Sequence, residues 1–324
     1  MKPILLHYYI TNRCNARCLF CKIWDEQPKS DADPEHVLSN LYYARKAGCR
    51  FVDFTGGEPL LHADLPVFLK KAREFGYITS VTTNTLLFPL RARDLEGLID
   101  LLHFSIDADN EQLNDVIHGC KTYRSVMESI PIALSYDLVP DLLFTYSDLN
   151  IDSFAGIYEY CSKNKLMSIL DPIFSLDGKD SVSAETHRKA LKFSKLPGVY
   201  CNSAHLLLRK KGGNNRQKPL CKAVRSTVVI LPNNTIALPC YHHKKDAVAI
   251  TPSLDFALRN PMRLNAFEEE GRYSFCQGCH INCYFDPSYT FLRNTLFLKS
   301  LYAKMKYAIR KYLIYKRPAP VKIR

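Results

Sequence analysis

Apolar positions in the first half of the chain alternate between two periods. Ile4 to Ile10, Phe51 to Thr55, Tyr77 to Thr83, Leu101 to Ile106, Asp141 to Thr145 and Met167 to Phe174 are short apolar or alternating runs bounded by turn residues, and read as strands. Helical spacing fills the gaps between them. Asp33-Pro34 opens a helix to about Ala47 with Gly48 as its stop, His62 to Phe75 is closed by Gly76, and others run from about Phe88 to Leu98, Tyr123 to Ser135 and about Ile151 to Asn164. Six strand–helix units in succession predict a parallel sheet with helices outside. Right-handed crossovers curl such a sheet into a partial barrel. Strand alternation places His103, Ser105 and Asp107 on one face, toward the barrel lumen, and Leu102, Phe104 and Ile106 on the other.

After Phe174 the rhythm breaks. A helix is expected around Ala184 to Ser194, and the Gly/Asn/Lys-rich stretch from Arg209 to Lys218 reads as a linker. Val228 to Leu231 and Ile236 to Leu238 flank Pro232-Asn233-Asn234-Thr235, a β-hairpin with Asn-Asn supplying the positive-φ turn. Leu298, Tyr302, Met305, Ile309 and Tyr312 recur at steps of four, three, four and three, a helical apolar stripe ended by Pro318 and Pro320. At about 150 residues per domain, 324 residues suggest two folding units. The expected fold is α/β: a partial (β/α)6 TIM-like barrel over residues 1–175, a helical segment and linker over 176–220, a small hairpin-based unit over 221–288, and a basic amphipathic tail helix over 289–324.

Composition adds exclusions. With 47 % apolar and 23 % charged residues, the chain is neither collagenous, disordered nor a disulfide miniprotein. No apolar run approaches the ~18 residues of a membrane span, and the first ten residues are too short an apolar stretch for a signal peptide. A cytoplasmic location is the expectation. The net charge of +12 belongs to the tail: Phe291 to Arg324 carries ten basic residues and no acidic one, leaving 34 basic against 32 acidic in the rest. A basic, Tyr-rich amphipathic helix suits an anionic membrane surface, so a peripheral place on the inner face of the membrane is expected. The alternative is a helix docked on its own barrel with a solvated basic face. Nucleic acid is not an expected partner, because phosphate contacts need no apolar stripe.

Of the twelve cysteines, Cys49, Cys120, Cys161 and Cys201 are scattered and read as small buried apolar residues. The others cluster, and in a reducing compartment tight Cys clusters are metal-binding or catalytic. Cys14, Cys18 and Cys21 follow the first strand as C-x3-C-x2-C. Structural zinc would want four ligands, and the loop holds no fourth Cys or His. A metal centre with an open position fits better, and iron–sulfur is the commonest thiolate centre of that kind.

Phe20 precedes Cys21; Gly56-Gly57-Glu58-Pro59 follows the second strand, Thr82-Thr83-Asn84 the third and Ser105-Ile106-Asp107 the fourth. With these features in register, residues 4 to 175 resemble the radical S-adenosylmethionine (radical SAM) superfamily. The resemblance implies a 4Fe-4S cluster on Cys14, Cys18 and Cys21, whose fourth iron takes the amino and carboxylate groups of SAM. An electron donor such as flavodoxin or ferredoxin would drive cleavage to a 5′-deoxyadenosyl radical, which abstracts a hydrogen atom from substrate. Gly56 and Gly57, lacking Cβ, would let backbone approach the methionine end, and Glu58, held extended by Pro59, would meet the ammonium. Phe20 would pack near adenine, Asn84 would face the ribose region, and Ser105, with Asp107 on the same face, is the candidate for the SAM carboxylate. Asn84 and Ser105 also suit strand-end capping. The segment ending in His118-Gly119 departs from relatives that carry Arg before Gly. A contact made by a fixed guanidinium would there become pH-sensitive or be lost.

Cys221 and Cys240 flank the hairpin, and Cys276, Cys279 and Cys283 follow. After a radical SAM barrel this resembles the auxiliary-cluster extensions called SPASM and, in shortened form, twitch domains. Five cysteines rather than seven imply one auxiliary 4Fe-4S cluster, most simply on Cys221, Cys240, Cys276 and Cys279, with Cys283 competing with Cys279; a zinc ribbon satisfies the same spacing. The usual hairpin Gly is replaced by Asn234. His242 and His243 read as solvated residues pointing opposite ways. The expected function is hydrogen-atom abstraction, with the auxiliary cluster binding substrate or accepting an electron and the substrate lipid or membrane-linked. A peptide- or protein-modifying maturase and a small-molecule carbinol dehydrogenase are the alternatives within the superfamily. An iron–sulfur or zinc redox sensor is the non-enzyme alternative, which would have no need of the Gly-Gly-Glu-Pro and Ser-Ile-Asp elements.

Overall fold

The computed structural model describes residues 2–315, with side chains through Lys311. The strands are β1 (Leu5–Thr11), β2 (Phe51–Gly56), β3 (Ile78–Thr83), β4 (Leu101–Ser105), β5 (Asp141–Tyr146), β6 (Met167–Pro172), β7 (Val199–Tyr200), β8 (Thr227–Leu231), β9 (Thr235–Leu238) and β10 (Asp246–Ala249). They form one open sheet in the order β10-β9-β8-β1-β2-β3-β4-β5-β6-β7. Strands β1 to β7 run parallel in sequence order with helices between the first six, which is the expected partial barrel. Asp33 starts the Pro34–Ala47 helix by accepting from the amides of Glu35 and His36.

The alternation assigns two faces. Leu6, Tyr8, Val52, Phe54, Val81, Leu102, Phe104, Leu142 and Phe144 form one buried core with the helices. On the other face His7 stands beside Asp53 and Asp53 beside Ser80, while Thr82 stands beside His103 and His103 beside Asp141. Polar side chains therefore line the lumen of a sheet whose outer face is apolar.

Three expectations change. The hairpin is not an independent unit: β8 pairs in parallel with β1, from Leu5 opposite Thr227 to Tyr8 opposite Ile230, so β8, β9 and β10 extend the barrel's own sheet. Asn234 takes the turn with φ +57°, as expected. The stretch from Arg209 to Lys218 is not a linker, because Asn214 within it is buried and bonded on every side. The helix over Phe88 to Leu98 shortens to Phe88–Arg91 followed by a 3-10 turn, Ala92–Leu95. A helix at Glu111–His118 was not anticipated; Asn110 caps it and Gly119, at φ +64°, stops it.

The carboxy-terminal helix, Thr295–Tyr315, packs on the Ser203–Lys210 helix and on β7. The side chain of Tyr312, and Lys316, Arg317, Pro318, Pro320, Lys322 and Arg324, lie outside the described residues.

Candidate iron–sulfur and SAM site

The loop after β1 is held from two sides. Gly57 and Glu58 donate their amides to the carbonyls of Thr11 and Arg13 at 2.9 and 2.8 Å. A Cβ on Gly57 would meet the Arg13 carbonyl oxygen at 2.0 Å and Cys14 Cβ at 3.0 Å, and one on Gly56, whose φ is +146°, would meet the Thr11 oxygen at 2.0 Å. The glycine pair is thus demanded by the cysteine loop itself. On the other side, Arg17 and Leu19 donate their amides to the carbonyls of His118 and Ile117 at 3.0 and 2.9 Å.

Glu58 is extended, as Pro59 requires. Its carboxylate is buried and accepts from the Leu60 amide, the Thr83 hydroxyl and the Asn84 amide at 3.0, 2.8 and 2.8 Å. It therefore fastens the end of β2 to the end of β3. Burial, opposed by those three bonds, pushes its pKa up to about 7. Asn84 donates to Asn15 Oδ1 at 2.7 Å, reaching the cysteine loop, and accepts from the Leu86 amide at 3.1 Å, so it also caps its strand end. Phe20 is exposed and Ser105 half-buried. Asp107 is buried; Oδ1 accepts from the Thr145 amide at 2.7 Å, and Oδ2 lies 3.0 Å from His118 Nε2, off the hydrogen-bond line.

Burial raises the thiol pKa values of Cys14, Cys18 and Cys21, that of Cys14 to about 11. Thiolate then forms only against the positive charge of bound metal. Among the described residues no three His, Cys, Asp or Glu side chains gather closely enough to hold a single metal ion. The three thiols of this one loop, cradled by Gly56 and Gly57 and with Cys120 as a further thiol neighbour of Cys14 and Cys18, fit a cluster held by the loop's own cysteines with one open iron.

In the second thiol set Cys221 precedes β8 and Cys240 follows β9, with Cys276, Cys279 and Cys283 later in the chain. The thiol of Cys221 is raised by burial and by the neighbouring thiols of Cys279, Cys276 and Cys240. Asn214 organises this set: it donates to the carbonyls of Gly271 and Cys276 at 2.8 and 3.0 Å and accepts from the amides of Leu220 and Cys221 at 3.0 and 3.2 Å. Cys283 is a thiol neighbour of Cys240 and Cys279, and its Sγ also lies 3.5 Å from His242 Nε2. His242 is not solvated: its ring packs on Phe174, Tyr241 and Tyr284, and burial pushes its pKa down to about 3. His243 stacks on Phe275 with ring centroids 4.2 Å apart. The two sets are joined across the loop: Tyr241 stacks on Tyr9 of β1 at 3.9 Å and donates to Glu26, which also pairs with Lys244.

Sequence reasoning missed His7 and Asp53, whose side chains meet at 3.1 Å in the lumen. Burial raises the Asp53 pKa, but the hydrogen bond and charge of His7 outweigh it and hold the carboxyl below its usual range. His7 Nε2 is buried with no hydrogen-bond partner. Their inward alternation on β1 and β2 was the available signal.

A partial barrel with a three-cysteine loop after its first strand is the architecture of radical SAM proteins. Residues 8–161, just under half of the chain, match the family model described as the radical SAM superfamily. It is 28 % identical over 189 residues to the probable GTP 3′,8-cyclase of Thermoplasma volcanium, covering 56 % of this chain and 57 % of that protein. It is 31 % identical over 168 residues to the GTP 3′,8-cyclase of Campylobacter jejuni, covering 49 % and 52 %. The chain thus spans about half the length of these curated relatives. Among solved structures, Streptococcus suis SuiB bound to S-adenosylmethionine aligns with a TM-score of 0.67 at 16 % identity over 91 % of this chain and 77 % of that one. The enzyme anSMEcpe with bound AdoMet aligns at 0.60 and 15 % identity over 96 % and 98 %. At these identities the likeness is one of fold.

Proposed function

We propose that this chain is a radical SAM enzyme with two 4Fe-4S clusters, one on Cys14, Cys18 and Cys21 and an auxiliary one on Cys221, Cys240, Cys276 and Cys279. Bound cluster and SAM supply a 5′-deoxyadenosyl radical on one-electron reduction, and with it hydrogen-atom abstraction from an unactivated carbon. The chain's residues do the positioning. Gly56, Gly57 and the 117–119 turn hold the first loop against the strand ends. Glu58 and Asn84 lock β2, β3 and that loop together, and the lumen face of His7, Asp53 and His103 is the surface offered to substrate. The auxiliary cluster binds substrate or accepts its electron. The observation that carries the reading is the pairing of the cysteine loop with a glycine cradle at the ends of β1 and β2, beside a second thiol set on an extension of the same sheet.

The substrate in this reading is lipid or membrane-linked, supported by the outward apolar face of the carboxy-terminal helix. Anaerobic reconstitution followed by iron analysis and reduction in the presence of SAM tests the assignment. The expected result is about eight irons per chain and formation of 5′-deoxyadenosine. About four irons with one zinc would return the second site to a structural ribbon, and no 5′-deoxyadenosine from the fully loaded protein would remove the activity.

A further inference from the structure

The carboxy-terminal helix docks with the wrong side for an ordinary amphipathic helix. Its inward face is largely polar. Ser300 accepts from Asn202 at 3.1 Å, Lys304 pairs with Asp286 at 2.9 Å, Lys306 donates to the carbonyl of Ser194 at 3.2 Å, and Tyr307 and Lys311 both bond the buried carboxylate of Asp141. Among its described side chains, Leu296 and Ala303 are the buried apolar ones, and the Tyr307 ring packs edge-on against Tyr200. The apolar stripe faces out: Leu298, Leu301, Tyr302, Met305 and Ile309 are 42 % to 70 % exposed. At 3.6 residues per turn these five fall within an arc of about 100°, opposite Ser300, Ala303 and Tyr307. Lys299 and Arg310 are exposed and lie together on one side of that arc. An open cleft of ≈ 540 Å³ lined by Leu292, Arg293, Asn294, Phe297 and Leu298 adjoins its amino-terminal end.

We infer that this outward face docks on the surface of an anionic lipid bilayer, with the helix lying in the plane of the interface. Charge selects the occupant. Lys304, Lys306 and Lys311 are engaged on the barrel side, but the exposed cations Lys299 and Arg310 remain, and no acidic residue follows Phe291 to oppose them, so the outward side attracts anionic headgroups. An antiparallel twofold contact between two copies through the same stripe would bring Lys299 of each copy to the edge that holds Arg310 of the other, cation against cation. Insertion across the bilayer does not fit either, since no described helix is long and apolar enough to cross a membrane. A stripe that would otherwise stand in water, with cations at its border and a polar back fastened to a rigid barrel, matches the interfacial mode. This inference does not depend on the cluster chemistry, and vesicle binding is read independently of SAM cleavage.

The test uses the full chain, anaerobically reconstituted, cosedimented with phosphatidylglycerol-containing and with pure phosphatidylcholine vesicles. Binding is expected to the anionic vesicles alone, and to weaken as salt is raised. Substituting Leu301→Ser, Met305→Ser and Ile309→Ser together should lower affinity at least about tenfold, and Lys299→Glu with Arg310→Glu should do the same through charge. All five positions are exposed, so both variants should keep the wild-type melting temperature; the two act through different forces, so either one alone can decide the question. Equal binding to both vesicles, binding to neither, unchanged affinity of a folded variant, or a concentration-dependent dimer dispersed by the serine substitutions would each overturn the inference.

Discussion

His118 Nδ1 lies 3.6 Å from the Sγ of Cys18, a residue a hundred positions away. The ring is buried, and its other nitrogen faces the carboxylate of Asp107 at 3.0 Å. The departure from Arg noted in the sequence therefore does not leave an empty place, because the imidazole touches a candidate cluster ligand directly. With Cys18 ionised on iron, an Nδ1–H pointed at its sulfur stabilises the reduced cluster, since hydrogen bonds to ligand sulfur tune the potential. Replacing His118→Phe should keep the iron content and lower the midpoint potential of the first cluster, read by EPR-monitored redox titration. An unchanged potential in a fully loaded variant would show that the contact is packing alone.

Gly57→Ala should disable the first site and spare the second. Its Cβ would lie 2.0 Å from a backbone oxygen, which cannot swing aside as a side chain would, so the loop bearing Cys14 must shift. The expected iron content falls from about eight to about four per chain. Full iron content with undiminished 5′-deoxyadenosine would mean that the loop tolerates the displacement.

Glu58 should give the protein a pH-dependent stability. Its pKa rises from 4.5 unfolded to about 7 folded, so the folded state holds the proton more tightly and stability from this site falls as pH rises between those values. The full change is on the order of 3 kcal/mol. Glu58→Gln cannot titrate, although its amide opposes one of the three donors at every pH. Urea denaturation at pH 5 and pH 8 should therefore show the wild type losing stability relative to the variant as pH rises. Parallel behaviour of the two would rule out a raised Glu58 pKa.

The barrel was legible because its strands are short and its helices carry their own stops, as Gly48 and Gly76 show. The three-cysteine loop was legible for a related reason: its chemistry is written in adjacent residues. What was not legible depends on partners distant in sequence. Asn214 looks like loop filler in Gly-Gly-Asn-Asn until the fold brings Gly271, Cys276 and Cys221 around it. His242 looks solvated beside Lys244 until Phe174 and Tyr284 close over it. The apolar stripe of the last helix was found by its period, but periodicity does not say which face meets the barrel. Buried Asp141, fully enclosed and reached by Tyr307 and Lys311, turns the polar side inward.

Cys279 and Cys283 should separate by iron content. Cys221 has Cys279, Cys276 and Cys240 as its thiol neighbours, whereas Cys283 neighbours Cys240 and Cys279 but not Cys221 among its strongest interactions, and its Sγ contacts His242. Cys279→Ala should hold about four irons and Cys283→Ala about eight. The reverse pattern would exchange the two in the ligand set.

The two faces of the carboxy-terminal helix should respond oppositely to substitution. Lys311 Nζ lies 2.6 Å from Asp141 Oδ2, while His103 Nε2, whose pKa burial lowers, is 3.7 Å away. Lys311→Met would strip the ammonium from a carboxylate that has no access to water, and unpairing a buried charge costs about 3 kcal/mol. Adding Asp141→Asn should recover much of that loss, because the neutral amide no longer needs a counter-charge. Met305→Ser, on the exposed arc, should change stability by no more than about 0.5 kcal/mol. Denaturant unfolding of the single and double variants gives all of these values. If Lys311→Met proved as silent as Met305→Ser, the helix would be held by something other than this pair. It could then be cut away as a separate tail, whereas the geometry makes it a fixed part of the barrel wall.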